Sequence, residues 1–208
     1  MMSSAVAAVV SRMILGSNQF FLAITDPWRT NAIPCYVILG VVCAVVGVFV
    51  IKAAYGISER LKRWFRNPWH RLWVGGSLLC VILFLFPALR GQGYLYIEMM
   101  FKGDTDSLVA SSPVFGWLPN QVAVVLTLLA ALIVFKVVAS VLTVDAGGDG
   151  GIFAPSMFIG AFTGFAFARL VNVSGLVALQ EYNFVAVGMC GVFTAVMRAP
   201  LTGIFLIA

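Results

Sequence analysis

Apolar residues fall in long blocks along this chain, separated by short polar stretches, and the blocks have helical lengths. Residues 3–15 (SSAVAAVVSRMIL) read as an apolar helix holding Arg12, short of the about 20 residues a bilayer crossing takes. Gly16 to Asn31 reads as a loop turned at Asp26-Pro27-Trp28. Residues 34–64 predict a long helix, apolar at first and charged in its last turns, with Gly40 and Gly47 small enough for another helix to approach. Residues 72–89 predict a further helix, entered after Pro68 and ending near Pro87. Gly91 to Glu98 predicts a short helix at the membrane edge, and Lys102 to Asn120 a loop. Gln121 to Val144 is the cleanest span; its one charge, Lys136, is expensive at mid-depth and must find a partner or a surface.

The next stretch interrupts this pattern. Ala146-Gly147-Gly148-Asp149-Gly150-Gly151 cannot extend a helix cheaply, because glycine loses the most backbone freedom on ordering. Ile152 and Phe153 restore the apolar pattern, and Pro155 suits the first turn of a new helix. That helix runs from Ile152 to Val171 and carries a GxxxG pair, Gly160 and Gly164, suited to close helix packing. Arg169 near its end complements the helix dipole. A polar gap, Asn172 to Glu181, precedes an apolar helix from Phe184 to Met197. Arg198-Ala199-Pro200 breaks that helix, and Leu201 to Ala208 begins another.

Irregular backbone between membrane helices persists only where protein covers it or a wet cavity meets it. Free amides at a helix N-terminus carry partial positive charge and hold anions, and broken helices aimed at a substrate are a transporter device. The break therefore predicts an anion site built from the backbone amides of Gly151, Ile152, Phe153 and Ala154. The competing reading is a plain glycine hinge. Asp149 opposes an anion unless it points away; it is also placed to cap the following helix. Phe153 and Phe158 are candidates to narrow a pore or simply to pack.

Composition fixes the class. Of 208 residues 62% are apolar and 10% charged, where a soluble domain is nearer half apolar and a quarter charged. The reading is an all-α, polytopic membrane protein. The net charge of +5 gathers around Lys52, Arg60, Lys62, Arg63, Arg66 and Arg71. It marks the cytoplasmic end of the second helix by the positive-inside rule and not a nucleic-acid surface. His70 lies in that loop with no ligand-spaced partner and reads as a surface residue. Cys35, Cys43, Cys80 and Cys190 lie in apolar surroundings without CxxC spacing and read as small buried packing residues. An enzyme would need a nucleophile with a base, or a metal cluster, at membrane depth. The apolar segments hold no histidine and no acidic pair, and the glycine run lacks the Lys-Ser/Thr of a phosphate-binding loop. No enzyme activity and no cofactor are expected.

Gly150-Gly151-Ile152-Phe153-Ala154-Pro155 resembles the GxFxP signature of the CLC chloride channels and proton/chloride antiporters. Gly151 to Ala161 is similar to the family's run there. Gly188-Met189 and Thr194-Ala195-Val196-Met197-Arg198-Ala199-Pro200-Leu201-Thr202-Gly203 resemble its later RAPLT stretch, and Gly91 to Glu98 a third, weaker feature. The resemblance implies a partial CLC-type fold with broken and tilted helices, in which 1–208 form a single transmembrane domain: the end of the first inverted half and most of the second. It implies chloride as the transported ion, a lipid bilayer as surroundings, a homodimer in the complete protein, and a multi-pass location in a bacterial inner membrane. The ion-site groups it carries onto this chain are at Ile152 and Phe153, with Gly151 and Ala154 beside them. The family's serine and glutamate motifs belong upstream and its chloride-contacting tyrosine downstream, so the chain is expected to be a fragment. The alternative is a membrane subunit, or the remnant of a truncated gene, that transports nothing.

Overall fold

The computed structural model describes residues 10, 32–91, 93–101, 122–175 and 178–207. The helix expected over 3–15 (Val10 apart) and the loops expected over 16–31 and 102–120 lie outside them. Every regular element among the described residues is helical. They are α1 (Ile33–Trp64), α2 (Pro68–Leu85), a 3₁₀ turn (Pro87–Leu89), α3 (Tyr94–Phe101), α4 (Val122–Asp145), α5 (Phe153–Ser174), α6 (Glu181–Met197) and α7 (Pro200–Ile207). The first long helix of the structure, α1, is thus the one expected over 34–64.

Proline and glycine set the boundaries. Proline opens α1 and α2, where its missing N–H costs nothing. Pro87 prevents α2 from reaching residue 89, so the expected 72–89 helix divides into α2 and the 3₁₀ turn. The backbone turns left-handed at Gly175, with φ 71°, to end α5, as glycine does without strain. Arg198 takes the same conformation, φ 56°, at the end of α6, and Pro200 then starts α7.

By length and composition α1, α2, α4 and α5 can each cross a membrane; α6, at 17 residues, is shorter. Apolar side chains cover their outer faces, among them Val37, Val41 and Val45 of α1 and Trp73 and Phe84 of α2. A face of this kind is stable in lipid and a liability in water.

The centre of the bundle is α5 against α6. Gly160 and Gly164 face Gly188 so closely that a methyl group on any of the three would overlap backbone of the opposite helix. The GxxxG expectation holds for this reason. Gly47 likewise meets Ala195 of α6, whereas among the described residues nothing lies within 4 Å of a Cβ at Gly40. One apolar cluster joins α4 to α5 through Leu128, Leu132, Phe158, Phe162 and Phe165. A second joins α1 to α5 and α6 through Leu39, Val50, Ile159, Phe184 and Val192.

At the α5–α6 turn Arg169 Nη1 donates to Glu181 Oε1 at 3.0 Å. Asn172 Nδ2 donates to the same oxygen at 3.2 Å and to the Leu179 carbonyl at 3.0 Å, while its Oδ1 accepts the Leu179 N–H at 2.7 Å. Arg169 therefore closes a hairpin as well as meeting a helix end. His70 is exposed as expected. Of the four cysteines only Cys43 is buried, and Cys80 is exposed on the outer face of α2, so the expectation of four buried packing residues holds for one.

Candidate functional site

The glycine break begins with a defined helix end. Gly147 N–H donates to the Val144 carbonyl at 3.1 Å and Gly148 N–H to the Thr143 carbonyl at 2.9 Å. This pair of bonds is a Schellman motif, and it places Gly147 in the left-handed position, where its φ is 94°. The chain then runs through Asp149, Gly150 and Gly151, all exposed, before α5 starts at Phe153.

Ile152 is the N-cap residue of α5 and makes no side-chain capping bond. The first bond of the helix runs from Ser156 N–H to the Ile152 carbonyl, at 3.0 Å. Among the described residues the amides of Gly151, Ile152, Phe153 and Ala154 form no backbone hydrogen bond, and Pro155 has none to offer. Asp149 stands three positions ahead of the N-cap and does not cap the helix, which corrects that expectation; the glycines after it carry the chain past capping geometry.

Side chains of the four predicted residues separate. Ile152 packs into the cluster of α1, α5 and α6. Phe153, 42% exposed, sets its ring edge-on to Phe193 with centroids 4.8 Å apart. Gly151 and Ala154 line a cleft of about 380 Å³, together with Gly150, Pro155, Asp149 and residues of α2 and α4. Phe158 is fully buried and stacks on Phe162 with centroids 4.1 Å apart.

Lys136 reaches the same cleft. It is 4% exposed. Its Nζ donates to the carbonyls of Leu89 at 3.2 Å and Gly91 at 2.9 Å, and lies 4.6 Å from the centroid of the Phe158 ring. Carbonyl dipoles and a ring face are the means by which a buried ammonium is held without a carboxylate. Gly91, with φ 60°, turns the chain to present its carbonyl, and Gly93 sits against the Phe158 ring with no room for a side chain. Leu89 and Gly91, just ahead of α3, thus supply the carbonyls that cradle Lys136.

Ser140 and Thr143 also line the cleft, but their hydroxyls donate to the carbonyls of Lys136 and Ala139 at 2.7 and 2.8 Å. They turn lone pairs, not protons, outward. The groups in or beside the cleft with positive character are the Lys136 ammonium and the uncapped N-terminus of α5; Asp149 is the opposing charge. Lys136 was legible in the sequence as a lone charge in an apolar span, yet nothing there tied it to the glycine break that begins 10 residues on, because that proximity depends on how α2, α4 and α5 pack.

The voltage-gated chloride channel family model matches residues 1–208. The chloride channel protein CLC-f of Arabidopsis thaliana is 28% identical over 221 residues, covering 99% of this chain and 26% of that protein. The crystal structure of a CLC-type fluoride/proton antiporter matches with a TM-score of 0.70 at 21% identity, over 98% of this chain and 45% of that one. The chain therefore spans about a quarter of the length of the curated relative and under half of the solved one.

Proposed function

The chain belongs to the voltage-gated chloride channel family, and on that premise we propose that it carries part of an anion path through the membrane, with chloride held by the backbone amides of Gly151, Ile152, Phe153 and Ala154. The observation that carries this reading is the uncapped N-terminus of α5, whose amides lack backbone partners, beside a cleft that also holds the Lys136 ammonium. Amides attract an anion without the full countercharge that would hold it too tightly to leave. The chain is membrane-spanning, and in this proposal the complete protein moves an anion.

The ion's remaining contacts come, in this proposal, from segments that the longer relatives have and these 208 residues do not span, and the outer apolar faces of α1 and α2 meet those segments, a second copy or lipid. Four amides at one helix end do not replace a hydration shell, and an underpaired buried ion is costly. The chain alone is accordingly expected to give no chloride flux in liposomes, and co-supplied flanking segments to restore some.

The test is chloride efflux from proteoliposomes carrying the full-length protein with Gly151→Pro or Gly151→Ala. A Cβ at Gly151 meets only the Phe153 nitrogen, at 4.0 Å, and its φ is not left-handed, so alanine keeps the donor with room to spare. Proline deletes it. One hydrogen bond to a charged group, at about 1.5–3 kcal/mol, corresponds to roughly a ten- to hundredfold loss of flux for proline alone. Equal flux from the two variants at equal expression would leave the glycine break as a hinge.

A further inference from the structure

We propose that Asp145 is a positioning residue for the glycine loop, held by Ser58 and Lys62 of α1; the proposal rests on reading that loop as an anion-binding element. Asp145 is the last residue of α4 and its side chain is only 7% exposed. Its Oδ1 accepts from Ser58 Oγ at 3.0 Å and pairs with Lys62 Nζ at 3.5 Å. Its Oδ2 is buried with no hydrogen-bond partner among the described residues.

This arrangement is poor as a source of stability. A carboxylate at a helix C-terminus opposes the dipole. Burying it is expensive, and one oxygen is left unsatisfied. Lys62 is 58% exposed and returns little. The consequence that remains is geometric. Ser58 and Lys62 lie four residues apart, on one face of α1, and together fix the height and rotation of the last turn of α4. The Schellman bonds of Gly147 and Gly148 begin at once, so the path of the loop toward α5 follows from where that turn sits. On its other side the turn rests against α2, where a Cβ on Gly75 would lie 3.3 Å from Ala146 Cβ. The end of α4 is thus held by packing from α2 and by polar contact from α1, and the polar contact can be removed alone.

The experiment uses the full-length protein with its cysteines replaced and Asp149→Cys as reporter, Asp149 being exposed in the loop. The modification rate by a water-soluble thiosulfonate is measured with Asp145→Asn, Ser58→Ala, Ser58→Thr and Lys62→Gln, alongside the thermal midpoint. Asp145→Asn and Ser58→Ala are expected to change the rate at least threefold with the midpoint nearly unmoved. Ser58→Thr, which keeps the hydroxyl, should restore it, and Lys62→Gln should have the smaller effect. If Asp145→Asn fails to fold, the two Ser58 variants carry the test. Unchanged rates, or rates that follow loss of the midpoint, overturn the positioning role. Apparent chloride affinity, read in the same variants without the reporter, separates the two claims. If the rate changes and the affinity does not, the positioning role of Asp145 stands and the anion reading of the loop falls.

Discussion

Gly164→Ala is expected to destabilise the protein sharply, because its surroundings are backbone. A Cβ there would overlap the Phe184 carbonyl oxygen and lie 2.8 Å from the Phe184 carbonyl carbon and 3.2 Å from Gly188 Cα. No rotamer change relieves such contacts, so α5 and α6 must move apart along the seam that joins the two apolar clusters. Overpacking typically costs about 1–3 kcal/mol, and rigid backbone neighbours place this site at the upper end. The gain in helix propensity returns about 1 kcal/mol, leaving a net loss of about 2 kcal/mol. Gly56→Ala in α1 is the control: among the described residues nothing lies within 4 Å of its Cβ, so the propensity gain of about 0.5–1 kcal/mol is what operates. At about 2–4 °C per kcal/mol for a domain of this size, thermal unfolding in detergent should show Gly164→Ala down by roughly 6 °C and Gly56→Ala up by roughly 2 °C. Equal midpoints for the two variants would refute the claim that backbone contact across α5 and α6 sets the packing.

Lys136→Met should lower stability by about 2 kcal/mol, since the carbonyls of Leu89 and Gly91 lose a charged donor, whereas Lys136→Arg should retain most of it; paired thermal midpoints decide. Arg198→Gly should leave the protein as stable or up to about 1 kcal/mol more stable, because φ 56° is unstrained only for glycine, while Arg198→Val should cost at least that much; chemical unfolding compares them. Glu59→Cys should react with an impermeant thiol reagent from the cytoplasmic side alone, given the basic cluster around it; reaction from outside in intact cells would reverse the orientation. Ser58 is a poorer probe, since its hydroxyl is bonded to Asp145.

Helix positions and membrane character follow from local sequence: apolar blocks of spanning length, proline at helix starts, and glycine or proline at helix ends act within one turn of the chain and need no partner. The break at Ala146 to Gly151 was legible for the same reason. Several features depended on distant segments. Gly47, Gly160 and Gly164 became contact points according to which faces meet Ala195, Phe184 and Gly188. Asp149, a plausible cap by type, was carried past the capping position by the backbone that follows it. Lys136 and Asp145 were single charges in the sequence, and their partners lie 45 to 47 and 83 to 87 residues away. Local propensity sets where helices start and stop over a few residues, but the company a buried charge keeps is decided by which helix faces pack together, and that is a property of the tertiary fold.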